Sequence, residues 1–181
     1  MLLDDFIRFL RTKKVLKYIP PGAILFDLGC GKDAHLLNLL KKKIKQGIGI
    51  DKKVLSREFD NLKLIKMDLR KQIPLANESV DYLTILAVLE HLDYPEEVLK
   101  ECHRVLKTGG YLLITVPAPI TDLVLNFLAY KLRIIDREEL EDHKRYFPMP
   151  KIKEIIKNAG FSLIKAKKFE LIFNFFILAK K

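Results

Sequence analysis

The chain has 181 residues, 49% of them hydrophobic and 31% charged, which excludes a disordered or membrane-spanning composition and fits one globular domain. Its 33 Lys and Arg against 23 Asp and Glu leave a net charge of +10, which raises nucleic acid or an acidic surface as a partner without requiring either. The excess is uneven: residues 1–60 carry 13 cations and 7 anions, residues 61–120 carry 7 and 8, and residues 121–181 carry 13 and 8.

The two cysteines, Cys30 and Cys102, lack the paired spacing of a zinc site, a redox pair or a disulfide framework. A reducing compartment, the cytoplasm, is expected, and no metal is expected. The opening MLLDDFIRFLRTKK does not have the layout of a secretory signal. No apolar run reaches the roughly 20 residues of a transmembrane helix.

Leu2 to Tyr18 repeats apolar residues at helical intervals and stops at Pro20-Pro21-Gly22. A strand follows over residues 23–28 and ends at Gly29. A helix comes next, with Leu36, Leu37, Leu39 and Leu40 on its apolar side and a lysine cluster at its end, where cations suit the helix dipole. Further strands are expected over 47–51, 62–66, 80–86 and 111–116, with a helix over 95–106 whose first turn holds Pro95, Glu96 and Glu97. Only ten residues, Lys52 to Asn61, separate the second and third strands, too few for more than one or two helical turns. Apolar strands alternating with helices predict a doubly wound, parallel α/β sheet.

After Pro119 the pattern changes. Residues 120–132 are strongly apolar with helical spacing, 133–150 are charged and irregular, and 150–158 read as a helix capped by Gly160. The runs 161–167 and 173–179 are β-rich and close enough to pair as an antiparallel hairpin.

Chemistry concentrates at the end of the first strand, in Asp27-Leu28-Gly29-Cys30-Gly31-Lys32-Asp33-Ala34. Glycines there allow the backbone to approach a ligand and take positive φ at low cost. Asp51 ends the second strand 20 residues after Gly31, where a carboxylate can accept both hydroxyl protons of a ribose. Taken alone, this spacing also fits an NAD-binding turn. Three features separate the readings. Asp27 suits a cationic amino-acid group better than a pyrophosphate. Asp68, past the third strand, adds an acid able to accept from an adenine amino group. The C-terminal hairpin is unlike a second dinucleotide-binding half.

In order and spacing, ILFDLGCGKDAHLL, GIGID, IKMDLRKQIPLANESVDYLTILAVLEHL and VLKECHRVLKTGGYLLITVP closely resemble the class I S-adenosylmethionine-dependent methyltransferases, in particular the small domains of the type-11 group, over about residues 15–180. The resemblance implies a Rossmann-like, mostly parallel seven-stranded sheet with a C-terminal antiparallel hairpin and helices on both faces. It implies S-adenosylmethionine as cofactor, with Gly29, Cys30 and Gly31 passing under it, and Asp27 near its methionine amino group. Asp51, with Lys52 beside it, is expected at the ribose, Asp68 and Leu69 at the adenine, and Leu86 and Ala87 against the methionine part. The chain divides in this reading into a leading helix (1–20), a cofactor-binding part (23–116), an acceptor or lid region (117–160) and a hairpin (161–181), all within one domain.

A sulfonium methyl is already electrophilic, so placing the acceptor in line with the carbon–sulfur bond supplies most of the acceleration, with a base needed when the acceptor is a hydroxyl. His91 and His143 are the candidate bases, and Arg145 and Tyr146 the candidate acceptor contacts. Each histidine also reads as a structural hydrogen-bonding group, and Cys30 as a small filler of the turn. The apolar 120–132 stretch reads as a core-packed helix, a lid over an apolar or lipid-linked acceptor, or a peripheral membrane contact. A small-molecule methyltransferase is the expected function. An RNA methyltransferase using the basic outer surface, and a non-catalytic S-adenosylmethionine-binding module, are the alternatives.

Overall fold

The computed structural model describes residues 2–68, 72–119, 147–169 and 174–181, with side chains from residue 7 onward. Among the described residues eight strands form one sheet: β1 (Ile24–Leu28), β2 (Gln46–Asp51), β3 (Arg57–Phe59), β4 (Leu62–Lys66), β5 (Val80–Leu86), β6 (Leu106–Pro117), β7 (Ser162–Phe169) and β8 (Asn174–Lys180). Their order across the sheet is β3-β4-β2-β1-β5-β6-β8-β7. The pairs β4–β2, β2–β1, β1–β5 and β5–β6 are parallel, while β3–β4, β6–β8 and β8–β7 are antiparallel. The doubly wound core and the C-terminal hairpin are as expected.

Differences are local. The short link after β2 holds no helix and instead forms β3, an additional edge strand. The helix after β1 is brief, His35–Leu40 (α2), because the chain turns at the lysine cluster and re-enters the sheet at Gln46. β6 starts at Leu106, earlier than the apolar run suggested, because Leu106 pairs with Val80 across an irregularity in the ladder. The hairpin enters the sheet through its second strand, β8, which lies between β6 and β7.

Helices cover both faces. α1 (Leu2–Leu16) and α2 lie on one face, where Val15, Leu36, Leu37 and Leu40 pack with Leu25, Leu113 and Phe176. α3 (Pro95–Val105) and α4 (Met149–Asn158) lie on the other, where Val98, Leu99, Ile152 and Ile156 pack with Phe26, Leu83 and Ile114. Alternate residues of each strand serve opposite faces, so strands buried on both sides read as continuous apolar runs. Arg104 of α3 braces the link into β5, donating to the Glu101 carboxylate at 2.7 and 2.8 Å and to the carbonyls of Ile73 and Leu75 at 2.9 and 2.8 Å. Among the described residues no helix is long and apolar enough to cross a membrane.

This winding positions the site. From β1 the chain moves outward to β2 and β4, then returns to place β5 on the other side of β1. A crevice opens at such a reversal, outside the carboxyl ends of the strands. Asp27, Asp51, Asp68 and Leu86 stand at or just past the carboxyl ends of β1, β2, β4 and β5. The helix expected over 120–132 falls outside the described residues.

Candidate functional site

The turn after β1 is strapped to the end of β2. The amides of Gly29 and Cys30 both donate to the Ile50 carbonyl, at 2.8 and 3.1 Å. Gly29 and Gly31 have φ of +75° and +72°, in the left-handed region that side chains disfavour. The two glycines differ in what surrounds them. A Cβ at Gly29 would collide with the Val88 side chain, whereas a Cβ at Gly31 would meet nothing within 4 Å. Gly29 is therefore needed for packing inside the protein. Gly31 leaves open space over its backbone, where a ligand can lie close.

Asp51 closes the turn from the other side. Its Oδ2 accepts from the Gly31 amide at 2.9 Å and its Oδ1 from the Lys53 amide at 2.7 Å. Two amides thus fix the orientation of a half-buried carboxylate, and each oxygen keeps acceptor capacity for a further donor. Lys52 beside it is exposed. The Met67 amide bonds the Asp51 carbonyl at 3.1 Å, holding the end of β4 next to the end of β2. Asp68 follows directly and is exposed.

Asp27 is 3% exposed, and its Oδ1 accepts from the Thr84 hydroxyl on β5 at 2.6 Å. Burial pushes its carboxyl up to about 7, with the Thr84 hydrogen bond opposing that rise and the charge of Asp51 adding to it. An acid in this state is poised to ionise when a cation arrives. Cys30 is buried, with its sulfur where a side chain on Gly49 would stand. Burial, then the negative charges of Asp27 and Asp51, raise its thiol well above the ordinary range. It stays protonated and inert.

Past β5 the chain doubles back. Leu86 is half-buried, Ala87 adopts φ +55°, and its amide donates to the Thr115 carbonyl at 2.8 Å. This bend lays Val88 over Gly29 and leads into a 3₁₀ turn, Leu89–His91. His91 is half-buried at the end of that turn. The fold thus gathers Asp27, Gly29, Cys30, Gly31, Asp51, Lys52, Asp68, Leu86, Ala87 and His91 along one edge of the sheet. Leu69, His143, Arg145 and Tyr146 fall outside the described residues.

Three residues here were not anticipated from sequence: Thr84, Val88 and Glu90. Thr84 is a hydroxyl in an apolar strand, but only the pairing of β1 with β5 sets it opposite Asp27. Val88 reads as one more apolar residue until the bend at Ala87 lays it over the turn. Glu90 had a signal, an acid within the otherwise apolar Leu86–Leu92 stretch apart from its neighbour His91.

Comparison with known proteins agrees with this geometry. The family described as "Methyltransferase domain" matches residues 26–114, from β1 through most of β6. A demethylmenaquinone methyltransferase of Geobacillus kaustophilus is 31% identical over 162 residues, covering 81% of this chain and 68% of that protein. The chain spans 31% and 53% of the length of the first two curated relatives it matches. Among solved structures, a methyltransferase in complex with the Haloferax volcanii Trm112 methyltransferase activator superposes with a TM-score of 0.76 at 16% identity, over 96% of this chain and 90% of that one. An S-adenosylmethionine-dependent methyltransferase from Aquifex aeolicus superposes with a TM-score of 0.67 at 20% identity, over 93% and 88% of the two chains. Those two likenesses concern the fold. With the sequence relationship and the glycine turn between its two acids, the chain belongs to the class I S-adenosylmethionine-dependent methyltransferases, whose cofactor is S-adenosylmethionine.

Proposed function

We propose that this chain transfers the methyl group of S-adenosylmethionine to a small-molecule or lipid-linked acceptor by in-line displacement. The observation that carries this reading is the arrangement Asp27, Gly29-Cys30-Gly31 and Asp51, with a buried acid at one end of an open glycine turn and an oriented carboxylate at the other. Gly31 lies under the cofactor, with Gly29 and Cys30 completing the turn. Asp27 faces the methionine ammonium. Asp51, flanked by Lys52, accepts from the ribose hydroxyls, while Asp68 and Leu69 address the adenine. Leu86 and Ala87 lie against the methionine part. The bound cofactor supplies an electrophilic methyl group on a positively charged sulfur.

The rest of the work belongs to the chain. It must hold the acceptor in line and exclude water, which proximity and orientation make effective. Residues 117–160 are the acceptor region in this reading, with His91 and His143 available to hydrogen-bond the acceptor and Arg145 and Tyr146 to hold it. The Geobacillus kaustophilus relative acts on demethylmenaquinone by its name, which favours an aromatic acceptor. An electrophilic methyl requires the electron-rich, hydroxylated form of such a ring. Two unpaired, buried cysteines agree with a cytoplasmic location.

Isothermal titration with S-adenosylmethionine and with S-adenosylhomocysteine is expected to give dissociation constants on the order of micromolar. Transfer of a radiolabelled methyl to reduced naphthoquinones and catechols then tests the acceptor class. Absence of cofactor binding overturns the reading. An RNA acceptor is the second reading, favoured by the exposed Lys167 and Lys168 on the edge strand β7. It requires salt-sensitive RNA binding in a mobility-shift assay.

A further inference from the structure

Two further buried polar groups lie on segments tied to the glycine turn, one on the 3₁₀ turn Leu89–His91 and one on β6. Glu90 is 1% exposed, and neither of its carboxyl oxygens takes a hydrogen bond from another residue. The hydroxyl of Thr115, a residue with no exposed surface, is equally unpartnered. Along β6, Leu112, Ile114 and Val116 face α3 and α4 while Leu113 faces α1, so alternation puts the Thr115 side chain on the α1 face. Glu90 feels the positive charge of Arg11, which α1 brings to the same face.

Both groups are tied to the cofactor turn. The bond from the Ala87 amide to the Thr115 carbonyl pins the segment leading to Glu90 onto β6. Val88, two residues before Glu90, packs on Gly29. A buried carboxyl with no donor from another residue is costly, and an apolar side chain would pack α1 against this edge at lower cost. A buried acid and a buried hydroxyl that no other residue partners, on two segments tied to the cofactor turn, fit a ligand that brings its own hydroxyl.

We infer that Glu90 and Thr115 form the polar end of the acceptor site, with Glu90 taking the proton of a phenolic hydroxyl and Thr115 holding its oxygen. This rests on the methyltransferase reading above. The acceptor, through its oxygen or the ring carbon conjugated to it, forms a bond to the methyl carbon. The methyl–sulfur bond breaks with its electron pair returning to sulfur. One proton in total leaves the acceptor for the Glu90 carboxylate, so a cation and an anion become two neutral groups. Burial pushes the Glu90 carboxyl up to about 7, opposed by its own amide and by Arg11, which keeps both the ionised and the protonated form accessible near neutral pH.

The test uses the full chain saturated with S-adenosylhomocysteine and catechol, which keeps its phenolic protons near neutral pH, as probe, read by calorimetry. The wild type is expected to bind the probe. Glu90→Gln is expected to weaken probe binding by about tenfold or more and Thr115→Val by about threefold or more, as for a lost hydrogen bond to a charged and a neutral partner. Both variants should keep the S-adenosylhomocysteine affinity of the wild type. No probe binding by the wild type at about 1 mM overturns the inference. So does unchanged probe affinity in Glu90→Gln, even with a changed melting temperature, which would make Glu90 a tether for α1 only. Should Glu90→Gln fail to fold, Thr115→Val decides: full probe affinity there overturns the inference. Failure of the wild type to bind S-adenosylhomocysteine is a separate result that removes the methyltransferase reading itself.

Discussion

The Thr84 hydroxyl on β5 donates to Oδ1 of Asp27 on β1 across 2.6 Å, between two residues that pair directly in the sheet. The bond fixes one oxygen of a carboxyl that burial has pushed up to about 7. It leaves the other oxygen for a ligand. Strand pairing thus sets the orientation of the acid, while burial, opposed by the Thr84 bond, sets the range over which it titrates.

The first consequence is a stability effect with a definite sign. Asp27 moves from an ordinary value of 3.8 to about 7 on folding, so the folded chain holds a proton that the unfolded chain gives up. Its contribution is fully present below about pH 4 and is lost as pH rises through about 7. Asp27→Asn removes this dependence. The stability gap in favour of Asp27→Asn should widen by about 2–3 kcal/mol between pH 5 and pH 8. Denaturant melts of both proteins at the two pH values measure it, and a constant gap contradicts the raised carboxyl.

Ligand binding should report the same group. A methionine ammonium arriving at Asp27 favours the ionised form, so S-adenosylhomocysteine binding at pH 6.5 should release a substantial fraction of one proton. Titrations in two buffers of different ionisation enthalpy count that proton. Affinity should rise from pH 6 to pH 8. In Asp27→Asn the linked release disappears and affinity falls by about tenfold or more. Equal proton release in both proteins would place the titrating group elsewhere.

Asp51 should separate binding from stability. Asp51→Ala strips the Gly31 and Lys53 amides of their acceptor, a loss of about 1 kcal/mol at a half-buried site. The effect on S-adenosylhomocysteine should be much larger, about tenfold to a hundredfold, because two ribose hydroxyls lose a charged acceptor. Unchanged affinity refutes the ribose role.

Gly29 and Gly31 should behave differently although both have positive φ. Either alanine costs about 1–2 kcal/mol for the backbone conformation. Gly29→Ala must also displace Val88, a stiff β-branched side chain. It should therefore be the less stable of the two by a further 1 kcal/mol or so. Gly31→Ala meets open space, so it should melt nearer the wild type and yet lose most cofactor affinity. Equal melting temperatures argue against the Val88 contact.

Much of this architecture is legible in the residues themselves. Short continuous apolar runs, helical spacings and turn glycines mark the strands and helices, because run length and side-chain periodicity are local properties. Asp27, Asp51 and the glycine turn stand out because strained backbone demands glycine and an acid ending a strand has few structural uses. β3 was not legible: its three residues, Arg57–Phe59, have no apolar pattern and form a strand only because Leu62–Leu64 offers an edge. The placement of β8 between β6 and β7 was likewise hidden, since a hairpin's own sequence does not say which strand meets the sheet.

The sequence by itself determined that an α/β sheet would present a glycine turn between two acids, because those features depend on residue type and spacing along the chain. Tertiary structure alone decided that Thr84 orients Asp27, that Val88 occupies the space over Gly29, and that Glu90 and Thr115 are buried with no partner from another residue. Those relationships join residues 57, 59 and 25 positions apart, and depend on strand order, register and one left-handed residue at Ala87. Burial and charge fields arise only once distant segments share a volume, which is why the state of each acid could not be read from its neighbours in the chain.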